Sequence, residues 1–97
     1  MQLDLTQTSP HGHFAAINGL QMYYEVHGQG APLVLLHGFT DSSLSWQPFI
    51  GHFAKHFKII VPDLRGHGRT LDPMSQYTLA QVALDVFALL GSVDILT

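Results

Sequence analysis

The sequence predicts an α/β domain with parallel strands, entered through an antiparallel hairpin. Three observations carry that prediction. Two extended runs, His13–Ile17 and Leu20–Val26, are joined by Asn18-Gly19, a pair that tolerates positive φ at both positions of a two-residue hairpin loop. Two short apolar runs, Leu33–Leu36 and Lys58–Pro62, lack the polar alternation of a half-solvated strand and suit strands covered on both faces. After each of these runs the apolar spacing changes to that of a helix.

The elements follow in order. Residues 1–12 are largely polar and are expected to form a flexible N-terminus, leaving 13–97 as the folded part. After the hairpin, HGQGAP (His27–Pro32) is a loop. Trp46, Phe49, Ile50, Phe53 and Phe57 fall at i, i+3, i+4, i+7 and i+11, one face of a helix. That helix is expected from Trp46 to His56, with Ser45 as N-cap and Pro48 in the first turn, where its missing N–H costs nothing. Asp63–Gln76 is a loop rich in Gly, Asp and Pro. A second helix opens at Thr78, where Thr78 and Gln81 fit a capping box and Tyr77 can staple onto Val82. Its expected buried stripe is Leu79, Val82, Ala83, Val86 and Leu90, and Gly91 is expected to end it. Hairpin, strand, helix, strand, helix is the order of an α/β chain with right-handed crossovers.

Composition narrows the function classes. The chain has 97 residues, 46% of them hydrophobic and only 11% charged. A domain of this size buries a thin core, so so apolar a composition reads like the inside of a larger protein. The net charge is −3, and the basic residues Lys55, Lys58, Arg65 and Arg69 form no stripe. Nucleic-acid and anionic-membrane binding are therefore not expected. There is no cysteine, hence no disulfide framework or thiolate chemistry. The N-terminus lacks the basic and apolar regions of a leader, and no apolar run reaches the length of a membrane span. A cytoplasmic location is expected.

The chemistry is in the turns. Ligands of open α/β sheets collect at the carboxyl ends of the strands. Two glycine-containing loops leave such ends, HGFTDSS after Leu36 and DLRGHGRT after Pro62. Glycine lets a backbone approach a ligand closely, and backbone N–H donors aimed at a developing oxyanion serve acyl transfer. The pattern LLHGF, a Ser-rich turn, Trp46 and a helix, then IIVPDLRGHGRT, resembles the N-terminal third of the α/β-hydrolase family from about Phe14 to Leu96. The resemblance implies an incomplete hydrolase sheet: a hairpin, then β-α-β-α with parallel strands. It implies that the Phe39 backbone N–H is one oxyanion-hole donor, with His37, Gly38 and Thr40 in the active-site loop. Asp63, Arg65, Gly66, His67 and Gly68 would belong to the structural loop that borders the site. Trp46 would anchor the first helix on the sheet. No cofactor is implied.

The family's nucleophile sits on a G-x-S-x-G elbow after the fifth strand, and the acid and histidine of the triad follow it. None of Ser9, Ser42, Ser43, Ser45, Ser75 and Ser92 has glycine at both −2 and +2, and no aspartate does. No nucleophile is assigned, and His37 and His67 are not the general base. The elbow is expected roughly ten to twenty residues beyond Thr97. The expected function is the N-terminal fragment of a serine hydrolase acting on a small ester-like substrate, esterase- or lactonase-like, and inactive by itself. Thr40 stands near where many dehalogenases and epoxide hydrolases of the family carry proline, and those activities are the alternative parent chemistry. A different class of reading is a non-catalytic interaction module, or a remnant, that pairs through its sheet edge. Without a fifth strand the run 33–36 would be an exposed apolar edge, a route to self-association.

Plainer readings stand beside these. His37 can fix the turn through a ring hydrogen bond to a neighbouring loop, and His67 can be structural. Asp63 can tie down its own loop, and Arg65 can pair with a carboxylate or a loop carbonyl. His11, His13 and His27 invite a metal reading because H-x-H shares a strand face, but no third ligand has a recognisable spacing. No metal is expected. GQG (Gly28–Gly30) precedes a strand rather than a helix and is not a dinucleotide fingerprint. Trp46, Phe49, Phe53 and Phe57 are read as core.

Overall fold

A computed structural model describes residues 10–38, 41–72 and 77–93. Four strands form one sheet: β1 (Gly12–Ile17), β2 (Leu20–His27), β3 (Ala31–Val34) and β4 (Phe57–Pro62), in the order β1-β2-β4-β3. β1 pairs antiparallel with β2, and β2 antiparallel with β4. β3 and β4 are parallel. The two helices are α1 (Gln47–Phe53), preceded by a 3-10 turn over Ser43–Trp46, and α2 (Leu79–Ser92).

The hairpin closes where the sequence places it. Ile17 pairs with Leu20, and Asn18 and Gly19 take φ of 48° and 82°. β1 begins at Gly12, one residue before the expected boundary. Gly28, in the GQG loop, has φ of 76°, and a Cβ there would lie 2.4 Å from the Phe57 carbonyl oxygen. Close backbone approach between the β2–β3 loop and the start of β4 therefore requires glycine.

β4 shows why its run is apolar throughout. Ile59 and Val61 pack on one side with Ile50 and Leu35, while Ile60 packs on the other with Ile17, Leu20, Met22 and Leu89. α1 lies over the first side and α2 over the second, giving a helix–sheet–helix sandwich. Among the described residues β3 has a neighbour on one side only. It starts and stops two residues earlier than expected, although the Leu35 amide still bonds the Ile60 carbonyl at 3.0 Å. Pro32 sits within it, a residue that sheets confine to edges because it lacks a ladder donor. Leu36 is 44% exposed.

Both helices depart from expectation. The first was expected as one helix from Trp46 to His56. Instead Ser42, not Ser45, caps the 3-10 turn, its side chain accepting from the Leu44 amide at 3.2 Å. α1 ends at Phe53, and Phe57 already belongs to β4. Pro48 does lie in the first turn of α1. Ile50 is buried, but Phe49 is 52% exposed and is not core.

Thr78 caps α2, accepting from the Gln81 amide at 3.0 Å. The Gln81 side chain donates to Asp85 through Nε2 at 3.1 Å. Gly91 stays inside the helix, which ends one residue later. The buried residues of α2 are Asp85 and Leu89, not the expected stripe. Leu79, Val82, Ala83, Val86 and Leu90 line, with Leu36 and Phe87, an open apolar groove of about 430 Å³. Asp85 lies inward because it is fully hydrogen-bonded there, as described below.

Candidate active site

The turn after β3 and the loop after β4 meet at the carboxyl end of the parallel strand pair, and His37 joins them. Its side chain is 6% exposed. Nε2 accepts the Leu64 backbone N–H at 2.9 Å, and Nδ1 lies 2.7 Å from the Gly38 carbonyl oxygen. That carbonyl also accepts the Asp41 N–H at 3.2 Å. The turn is thus tied both to the β4 loop and to the start of the helical segment. Phe39 and Thr40, assigned by resemblance to the oxyanion hole and the active-site loop, lie outside the described residues.

Asp63 is fully buried and holds three pieces of chain together. Its Oδ1 accepts the Ser43 N–H at 2.6 Å and its Oδ2 the Arg69 N–H at 2.9 Å, while its own amide bonds the Tyr23 carbonyl at 2.8 Å. A carboxylate accepting two backbone donors within a buried turn is a scaffold for the turn, not a free acid. Gly68 makes room for it: φ is 53° there, and a Cβ would fall 2.3 Å from Asp63 Oδ2. Gly66 also has positive φ, 77°, so the RGHG stretch turns twice through the left-handed region.

Arg65 is 1% exposed. It grips Asp85 of α2 with Nε to Oδ2 at 2.7 Å and Nη2 to Oδ1 at 3.0 Å. A third bond runs from Nη1 to Asp72 Oδ1 at 3.1 Å. Asp85 also accepts from Asn18 Nδ2 at 3.0 Å, so the hairpin turn, the β4 loop and α2 share one polar knot. Burial pushes the Asp85 carboxyl up, but the hydrogen bonds from Arg65, Asn18 and Gln81 outweigh it and hold it below its ordinary value. The Asp85 hydrogen bond raises Arg65 against the cost of burial. Nothing in the sequence assigned Asp85, Asp72, Asn18 or Ser43 to this region. The available signal was a lone aspartate inside an apolar helix, for which burial without a partner would be prohibitive.

His67 lies tilted beside His37, with ring centres 5.0 Å apart, and beside Tyr77 at 5.5 Å. Its Nδ1 lies 2.9 Å from the Arg65 carbonyl oxygen. In the hairpin, His27 bonds Glu25 at 2.8 Å and lies against His11 with the rings tilted, while His13 stacks on Tyr24. Among the described residues no group of three or more His, Cys, Asp or Glu side chains is arranged to hold a metal ion. None of the described helices is long and apolar enough to cross a membrane.

This geometry presents a backbone turn at the carboxyl end of a parallel strand, braced from the neighbouring loop by a histidine and an aspartate. The profile of the α/β hydrolase fold family matches residues 31–94. A soluble epoxide hydrolase of Corynebacterium sp. (strain C12) is 45% identical over 74 residues, covering 76% of this chain and 26% of the relative. A haloalkane dehalogenase of Agrobacterium fabrum is 32% identical over 99 residues, covering 94% of this chain and 33% of the relative. The ligand-free structure of the epoxide hydrolase CorEH superposes with a TM-score of 0.81 at 41% identity, over 84% of this chain and 29% of that one. The chain thus spans between a quarter and a third of the length of these relatives. The profile match and the fold together place it: the chain belongs to the α/β-hydrolase fold family.

Proposed function

We propose that the chain is the N-terminal portion of a hydrolase whose small-molecule substrate is attacked at an electrophilic carbon, and that it supplies the oxyanion side of the site. The observation that carries the reading is the His37-Gly38 turn, pinned to the β4 loop through Leu64 and Asp63. Likeness to an epoxide hydrolase and a haloalkane dehalogenase supports an epoxide or a haloalkane as the substrate class. A second reading, an ester or lactone, rests on Thr40, which stands near where many dehalogenases and epoxide hydrolases of the family carry proline. The residue at the centre of the elbow separates them: aspartate favours the first and serine the second.

The 97 residues hold no such elbow, so the chain alone is expected to be catalytically inactive. The side of β3 that has no partner among the described residues, and the apolar groove lined by Leu36 and α2, suit surfaces on which further chain of a longer domain packs. A cofactor-free reaction and a cytoplasmic location belong to the same proposal. The test is turnover by the product of the full reading frame beside these 97 residues alone, with an epoxide, a haloalkane and a p-nitrophenyl ester as substrates. Activity of the longer product on one class, and none from the short chain, is expected. Equal turnover by the short chain, or none by a longer product carrying an elbow, contradicts the proposal.

A further inference from the structure

A cleft of about 380 Å³ opens between the hairpin turn and the loop after β4, lined by Phe14, Gly19, Leu20, Gln21, Arg69 and Leu71. None of the residues assigned to the hydrolase site lines it. Its size falls within the ~300–1,000 Å³ of small-molecule sites, which are mostly apolar with a few placed polar groups. Phe14 is 50% and Leu71 76% exposed, so two large apolar side chains stand in solvent in the same cleft as a guanidinium.

Both walls are held. Asn18, at the turn, donates to Asp85 at 3.0 Å. The Arg69 backbone N–H donates to Asp63 at 2.9 Å, and the Thr70 hydroxyl accepts the Tyr23 amide at 2.9 Å. The Arg69 guanidinium lies over the Tyr23 ring, 4.6 Å from its centre, and Phe14 meets the same ring edge-on at 5.3 Å. Tyr23 thus fixes the cation and one apolar wall relative to each other. A ring against its face does not consume the fork of N–H donors, which lie in the guanidinium plane. With five of them, a bond within the fold leaves room for a ligand oxygen. Gln21 adds a side-chain amide, which can also donate.

We propose that this cleft binds a small amphipathic monocarboxylate, its apolar body against Phe14, Leu20 and Leu71 and its carboxylate on Arg69. A carboxylate matches the guanidinium fork in both geometry and charge. A phosphate carries more charge than one guanidinium balances, and desolvating the excess against an apolar lining is costly. The proposal does not depend on the hydrolase reading.

The test is an amide-shift titration of the ¹⁵N-labelled product of the full reading frame with phenylbutyrate, phenylbutanol, phenyl phosphate and acetate. Phenylbutyrate should give saturable shifts centred on Gly19, Gln21 and Leu71. Phenylbutanol keeps the body and lacks the charge, and should bind about tenfold more weakly. Acetate keeps the charge and lacks the body, and should also bind more weakly. Arg69→Gln should weaken phenylbutyrate about tenfold, and Arg69→Lys should recover part of that loss. Because Arg69 also packs on Tyr23, Leu71→Glu guards against misreading a folding defect. It sets a like charge in the cleft at an exposed position, and should weaken binding severalfold with the rest of the amide spectrum unchanged. Shifts centred elsewhere, equal affinity for the alcohol, tighter binding of phenyl phosphate, or affinity unchanged in both Arg69→Gln and Leu71→Glu overturns the proposal. None of these readouts uses turnover, so failure of the hydrolase reading would leave them as they stand.

Discussion

Asp85→Ala is the sharpest perturbation of this fold. Asp85 is fully buried and Arg65 is 1% exposed, so the substitution strands a guanidinium whose Nε and Nη2 lose their acceptors at 2.7 and 3.0 Å. The amides of Asn18 and Gln81 lose theirs as well. Removing one partner of a buried ion pair costs about 3–5 kcal/mol. A chain of this length has roughly 5–15 kcal/mol in total, so the variant should retain little stability. With an m-value near ~1 kcal/mol/M, the urea midpoint, followed by Trp46 fluorescence, should fall by several molar or vanish into the baseline. Leu84→Ala is the control on the same helix, since Leu84 is 58% exposed, and it should stay within ~0.5 kcal/mol of the parent. If Asp85→Ala unfolds within ~1 kcal/mol of the parent at an unchanged m-value, the polar knot does not hold α2 to the sheet and the reasoning fails.

Four further outcomes follow from the same geometry. Because the Asp85 carboxyl lies below its ordinary value in the folded chain, its contribution is complete above the ordinary carboxylate range. That contribution is lost as pH falls through the lowered value, so stability should decline below about pH 4 and Asp85→Asn should flatten that part of the profile. Asp63→Asn turns one acceptor into a donor facing the Ser43 or Arg69 amide and should cost about 1–3 kcal/mol in urea titration. Gly68→Ala places a methyl against a carboxylate that cannot swing aside, at a φ of 53°, and should cost about 1–3 kcal/mol by the same assay. The side of β3 left without a partner among the described residues, together with the apolar groove that Leu36 lines, should give concentration-dependent sedimentation, and Leu36→Lys should reduce it; a monomer at all concentrations would argue against an adhesive edge.

Much of this fold is legible in the sequence where local chemistry decides. Asn18-Gly19 specifies its own turn, Thr78 caps α2, and the apolar IIV of β4 (Ile59–Val61) reflects helices on both sheet faces. The errors occur where distant partners decide. Spacing alone assigns Leu79, Val82, Ala83, Val86 and Leu90 to the core, yet Asp85 and Leu89 are the buried pair. The helix is turned by a salt bridge 20 residues away in sequence, which periodicity does not encode. Likewise the 3-10 turn before α1 begins where Asp63 takes the Ser43 amide, so the first helix is shorter than its aromatic spacing suggests. At the site, the family resemblance assigned His37 and Asp63 to their loops. The partners Leu64, Ser43 and Arg69 are backbone amides, whose identity leaves no mark in a sequence.

The central claim is that these residues are the oxyanion side of a larger hydrolase. It is tested most directly by reading the coding DNA past the Thr97 codon, with an intact mass of the native protein. The account predicts that the frame continues into a G-x-S-x-G or G-x-D-x-G within roughly twenty codons and that the native mass exceeds that of these 97 residues. A stop codon after Thr97, with a mass matching these residues alone, would contradict it.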